Sequence, residues 1–80
     1  MIIRQDLQEW VVRALKESGG EAKLVDVAKH IWSHHSDELQ QAGDMFYTWQ
    51  YDMRWAATRL RKSGKLKPAR TDDRGTWRLI

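Results

Sequence analysis

Tyr47, Gln50, Tyr51, Arg54 and Thr58 follow one another mostly at three- and four-residue steps, the spacing that lines side chains along one face of a helix. Their chemistry is that of a reader of base edges. In the major groove of duplex DNA an arginine pairs with guanine, and a glutamine with adenine, through two hydrogen bonds each. Directly after them come Arg59, Arg61, Lys62, Lys65, Lys67 and Arg70, with no acid between the first and the last. Arg61, Lys62, Lys65, Lys67 and Arg70 are the expected phosphate contacts, which position a protein on DNA without reading sequence. Arg74, near a loop tip, would touch the backbone or enter the minor groove. Asp72 and Asp73 oppose deep insertion there, since they approach phosphates with the wrong charge. The plainer reading of all these residues is a solvated polar face that keeps the chain in solution.

Charge along the chain favours the first reading. Residues 1–44 carry five basic and eight acidic side chains, residues 45–80 nine and three. The net charge of +3 therefore hides a basic C-terminal part and an acidic N-terminal part. A localised basic patch is the electrostatic footprint of a phosphate-binding surface.

His30 and His34 stand four residues apart, a spacing that places two imidazoles on one metal. Further ligands would have to come from residues such as Asp37 or Glu38, and the chain has no cysteine. Protonated histidines near a helix C-terminus are the commoner explanation, so neither a metal nor another cofactor is expected. The Ser, His and Asp residues show no nucleophile-elbow spacing.

The elements that must hold these side chains are short. With 80 residues there is room for one domain, residues 1–80, and a chain of this size has a marginal core. Five tryptophans are its reinforcement, each burying about 150–250 Å² when packed. No apolar run approaches the length of a membrane span, and nothing reads as an address, so a soluble, cytoplasmic protein is expected.

Leu7, Trp10, Val11, Ala14 and Leu15 set the apolar face of a first helix over 5–18, which Gly19-Gly20 ends. A short extended stretch over 21–24 leads to a second helix from about Val25 to His35, with Val27, Ala28, Ile31 and Trp32 turned inward. Residues 36–43 are polar apart from Leu39 and read as a loop or one irregular turn. Asp44 is the expected N-cap of a third helix, which stops at Ser63-Gly64. Phe46, Trp49, Met53, Ala56, Ala57 and Leu60 form its inner face, and the base-reading set lies largely opposite. Trp55 falls between the two faces and is expected to be partly buried. Two strands over 65–69 and 76–80, joined by a loop over 70–75, complete the chain. On the last strand Trp77 faces the core and Arg78 faces out. The expected fold is mainly α with a small β-hairpin: a winged helix-turn-helix of three helices, one short strand and a C-terminal two-stranded wing.

The run Arg54-Trp55-Ala56-Ala57-Thr58-Arg59-Leu60-Arg61-Lys62-Ser63-Gly64-Lys65-Leu66, followed by Arg74-Gly75-Thr76-Trp77-Arg78-Leu79, resembles the N-terminal domain of the Mrr-type restriction proteins. The Gly19-Gly20-Glu21-Ala22 turn is similar as well. The resemblance implies a winged-helix DNA-recognition module, which in that family is attached to a nuclease, and hence a restriction- or transcription-related role. It implies no cleavage here, because 80 residues hold no catalytic domain. The chain is either a free-standing DNA-binding protein or a piece of a longer one. Glu21-Ala22-Lys23 matches half of a restriction nuclease site, but the Asp and the larger sheet that such a site needs are missing, so no enzyme is expected.

Double-stranded DNA is thus the expected partner. The alternative is a protein-interaction winged helix in which Tyr47, Tyr51 and Trp55 form an aromatic patch beside the basic strip. A homodimer is open on either reading, with Met1-Ile2-Ile3 as a core strand or a dimer contact.

Overall fold

A computed structural model describes residues 4–68 and 75–80. The first apolar period is realised as helix α1 (Asp6–Glu17), with Leu7, Val11, Ala14 and Leu15 buried. Asp6 and Glu9 in its first turn and Lys16 in its last complement the helix dipole. At its end Arg13 Nε donates to Glu17 Oε2 at 2.9 Å. That hydrogen bond, and after it the neighbouring His30, holds the Glu17 carboxyl below the usual carboxylate range.

The chain leaves α1 through Gly19 and Gly20, whose φ angles of 85° and 102° lie where L-residues with a Cβ are strained. The turn is tied on both sides: the Gly20 amide donates to the Leu15 carbonyl at 2.7 Å, and the Gly20 carbonyl accepts from the Leu79 amide at 2.8 Å. A Cβ on Gly20 meets nothing within 4 Å, so the cost of a side chain there is one of backbone conformation alone. Gly20→Ala is expected to lose about 1–2 kcal/mol, read as a lower urea midpoint at unchanged slope. An unaltered midpoint would show that the turn relaxes without cost.

Strand β1 (Glu21–Lys23) follows, then helix α2 (Leu24–Gln40), helix α3 (Met45–Lys62) and strand β2 (Thr76–Arg78). Three helices thus enclose a core, with a small antiparallel sheet at one edge. β1 pairs with β2 in the register Glu21↔Arg78, Ala22↔Trp77, Lys23↔Thr76. This register points Trp77 into the core, 4% exposed, beside buried Leu66.

Two of the expected element boundaries change here. Of the 65–69 segment, residues 65–68 are described and form a bridge rather than a strand: Leu66 pairs with Leu79, the Lys67 amide donates to the Arg78 carbonyl at 2.9 Å, and the Lys65 carbonyl accepts from the Ile80 amide at 3.3 Å. β1 and this segment bond opposite edges of the last strand, Gly20 and Leu24 meeting Leu79 and Gly75 while Lys65 and Lys67 meet Ile80 and Arg78, and the longer pairing is the one with β1. The loop over 70–75, apart from Gly75, lies outside the described residues.

Second, α2 does not stop at His35. It passes through that residue with a local kink (φ −132°, ψ 17°) and continues to Gln40. The added turn carries Leu39 into the core with no exposed surface. The His35 ring lies flat on Trp10 of α1, centroids 3.8 Å apart, and its Nδ1 is 2.7 Å from Glu38 Oε1.

Asp44 stands at the start of α3 without capping it: its side chain makes no capping bond, and only its carbonyl accepts, from the Tyr47 amide at 2.9 Å. Trp49, Met53, Ala56, Ala57 and Leu60 are buried as the period requires. Phe46 and Trp32, expected inside, sit at the rim with more than a third of their surface exposed. Trp32 lies at the edge of the apolar arc of α2 and Phe46 in the first turn of α3, and they share the rim with Trp49, whose ring centroid is 6.1 Å from that of Trp32.

Candidate nucleic-acid interface

The outer face of α3 holds the base-reading set as one continuous stripe. Tyr47, Gln50, Tyr51, Arg54 and Thr58 are all exposed, and Lys62 extends the line. At about 100° per residue the five span an arc of about 100°, and from Tyr47 to Lys62 the rise is about 22 Å. The two tyrosines are 84% and 72% exposed.

Charge on this face is uncompensated by the domain itself. Asp52 is the acid of α3, and it is turned to the opposite side and buried. There Arg4 Nε lies 3.2 Å from one carboxylate oxygen and the Thr48 hydroxyl donates to the other at 3.0 Å. Among the described residues no carboxylate pairs with Arg54, Lys62 or Lys67. Thr58 directs its hydroxyl proton to the Arg54 carbonyl at 3.2 Å, so it offers a base edge only acceptor lone pairs and a methyl group.

The expected phosphate residues divide into three groups. Lys62 and Lys67 are exposed at the helix end and beyond it. Arg61 is half-buried, with its Nε enclosed and without a hydrogen-bond partner among the described residues. Lys65 is exposed but lines an open groove with Gln5, with Gln8 and Val12 of α1 and with Leu79, to the flank of the stripe. Arg70 and Arg74, with Asp72 and Asp73, lie outside the described residues.

Trp55 is partly buried, as its position between the faces requires. The Arg4 guanidinium caps its ring at 4.1 Å from the centroid, and that of Arg59 lies at 5.8 Å. It is therefore not part of the tyrosine surface. In its place the structure adds Trp32 and Phe46, which with Val25, Lys29, Trp49 and Gln50 line an open groove between α2 and α3. Periodicity hides these residues, because it assigns them to the core.

Glu21 and Lys23 are exposed on β1 opposite Arg78 and Thr76. Among the described residues no helix is long and apolar enough to cross a membrane. No protein-family model, curated protein or solved structure matches the chain, so the likeness to Mrr-type N-terminal domains rests on its motif residues alone.

Proposed function

We propose that this protein binds duplex DNA as a winged helix-turn-helix domain, with α2 and α3 as the helix-turn-helix and the chain from Lys65 to Leu79 as the wing. The observation that carries this reading is the exposed, acid-free stripe from Tyr47 to Lys62 on α3. A helix fits the major groove, which is about 12 Å wide. Gln50 and Arg54 supply the bidentate groups, the tyrosines supply contact area, and Lys62 and Lys67 meet phosphates where the helix leaves the groove. The likeness to a restriction-protein recognition module supports the same reading. It suggests a restriction- or transcription-related role without catalysis.

The test is a salt-stepped titration against mixed-sequence duplex DNA, followed by footprinting. Binding is expected with a log–log salt slope of about −3 to −6, the value for roughly four to six phosphate contacts. Arg54→Ala should weaken binding by about 1–3 kcal/mol on preferred sequences and much less on others. A loss equal on all sequences would remove the base-reading role of Arg54.

The exposed rings favour one competing reading. Trp32, Phe46, Tyr47 and Tyr51 would serve as the apolar centre of a protein interface. No binding to DNA at about 50 mM salt, with protein above the non-specific range of about 10⁻⁴–10⁻⁶ M, would move the assignment there.

A further inference from the structure

Away from the α3 stripe, three potential metal ligands from two helices converge. Glu17, the last residue of α1, faces His30 and His34 on α2, and one ligand-capable atom from each lies within 4.8 Å of the others. We propose that Glu17, His30 and His34 form a binding site for a zinc-class divalent cation, which would staple the end of α1 to α2.

Four observations support the assignment. His30 Nε2 lies 3.3 Å from Glu17 Oε1, the separation of two ligands on a tetrahedral ion with metal bonds of about 2.0–2.1 Å. His30 Nε2 is also enclosed, and apart from the Glu17 carboxylate it has no polar partner among the described residues. His34 Nδ1 is 2.9 Å from the His30 carbonyl. A carbonyl only accepts, so Nδ1 carries the proton, and in the neutral ring Nε2 is left with a lone pair for a metal. This is the second hydrogen bond that metal-bound histidines habitually make. Lastly, Arg13 holds Glu17 Oε2 at 2.9 Å, which leaves Oε1 for the histidine side.

The acids that spacing alone brings to mind are not the third ligand. Glu38 is engaged by His35, whose ring stacks on Trp10. The third ligand instead comes from a helix thirteen residues upstream of His30, a pairing created by the packing of α1 on α2. The imidazoles of His30 and His34 are stacked, centroids 4.1 Å apart. Coordination requires that stack to open, and His34 and Glu17 are both exposed and able to turn. Two nitrogens and one carboxylate oxygen suit zinc, with water in the fourth position. A metal staple also answers the weakness of a core this small.

The experiment uses untagged protein stripped with a chelator. Zn²⁺ is titrated by calorimetry in a non-chelating buffer near neutral pH, and Co²⁺ is added separately to read its visible absorption. One ion per chain is expected, with micromolar or tighter affinity. At a free Zn²⁺ concentration about 100 times Kd, Tm should rise on the order of 10 °C, reversed by chelator. Histidine ring resonances of His30 and His34 should shift while those of His35 stay. The exposed substitutions His34→Ala and Glu17→Gln should each weaken binding about 10-fold or more, with the metal-free Tm nearly unchanged, and His35→Ala should bind as the parent does. Weak binding above about 100 µM, or tight binding that survives His34→Ala and Glu17→Gln, would overturn the site. Neither outcome depends on whether the protein binds DNA.

Discussion

Trp77→Ala should destabilise the fold by about 3–5 kcal/mol, the range for removing a buried tryptophan and leaving a cavity behind. The side chain is 96% buried, and its strand pairs with Ala22 on one side while Leu79 bridges to Leu66 on the other. It is therefore the point at which β1, β2 and the segment after α3 share one apolar contact. An 80-residue domain has a stability of roughly 4–12 kcal/mol in all. The substitution thus removes a large part of it, and urea unfolding of the variant should start at or near zero denaturant. Trp77→Phe keeps most of the buried area and should retain a cooperative transition. A loss below about 1 kcal/mol for the alanine variant would mean that the sheet edge is not coupled to the helical core.

Much of this frame is legible in the residues. The apolar period of α1 and its Gly-Gly exit, and the span and inner face of α3, follow from side-chain spacing and from glycine's freedom at positive φ. Trp77 is buried as expected, but clean alternation is absent: Thr76 is buried as well, and Arg78, expected to face out, is half-buried. What spacing misses are contacts between residues distant in sequence. Leu39 is a lone apolar residue in a polar stretch and has no period, so the last turn of α2 is visible only once the core has a place for it. Asp52 looks like an acid on the DNA side of the chain until Arg4, forty-eight residues away, is seen to hold it. Glu17 joins His30 and His34 for the same reason. The strand pairing is the opposite case: the expected hairpin is local, but the longer pairing of β2 is with β1, distant in sequence, while Lys65 to Lys67 hold its other edge through a single bridge. Trp32 and Phe46 show the limit of periodicity itself, because a residue at the edge of an apolar arc or in the end turn of a helix is sent in or out by its neighbours, not by its angle.

The candidate interface was legible in composition and only partly in position. Tyr47, Gln50, Tyr51, Arg54 and Thr58 are all exposed along α3. The basic cluster is less uniform than its sequence suggests, since Arg61 is half-buried and Lys65 turns toward α1. Charge density along a chain does not specify direction in space. Lys62 and Lys67 are therefore the sharper test of phosphate contact.

Replacing both by glutamate should abolish most DNA affinity while leaving the fold intact, because neither side chain is buried or paired among the described residues. Each phosphate contact contributes about 0.9 to the salt slope. Two lost contacts flatten it by about 1.8, which over the decade from about 1 M to 0.1 M salt amounts to roughly 60-fold. The new carboxylates add repulsion from the same phosphates, so the loss at about 0.1 M salt should approach 10³-fold and shrink as salt rises. Lys65→Glu, at the flank, should cost less than either single reversal. The loss should also be the same on every sequence, in contrast to that of Arg54→Ala. If the double variant bound DNA as tightly as the parent, with the same slope, the duplex would not meet the end of α3. The basic half of the chain would then serve another partner.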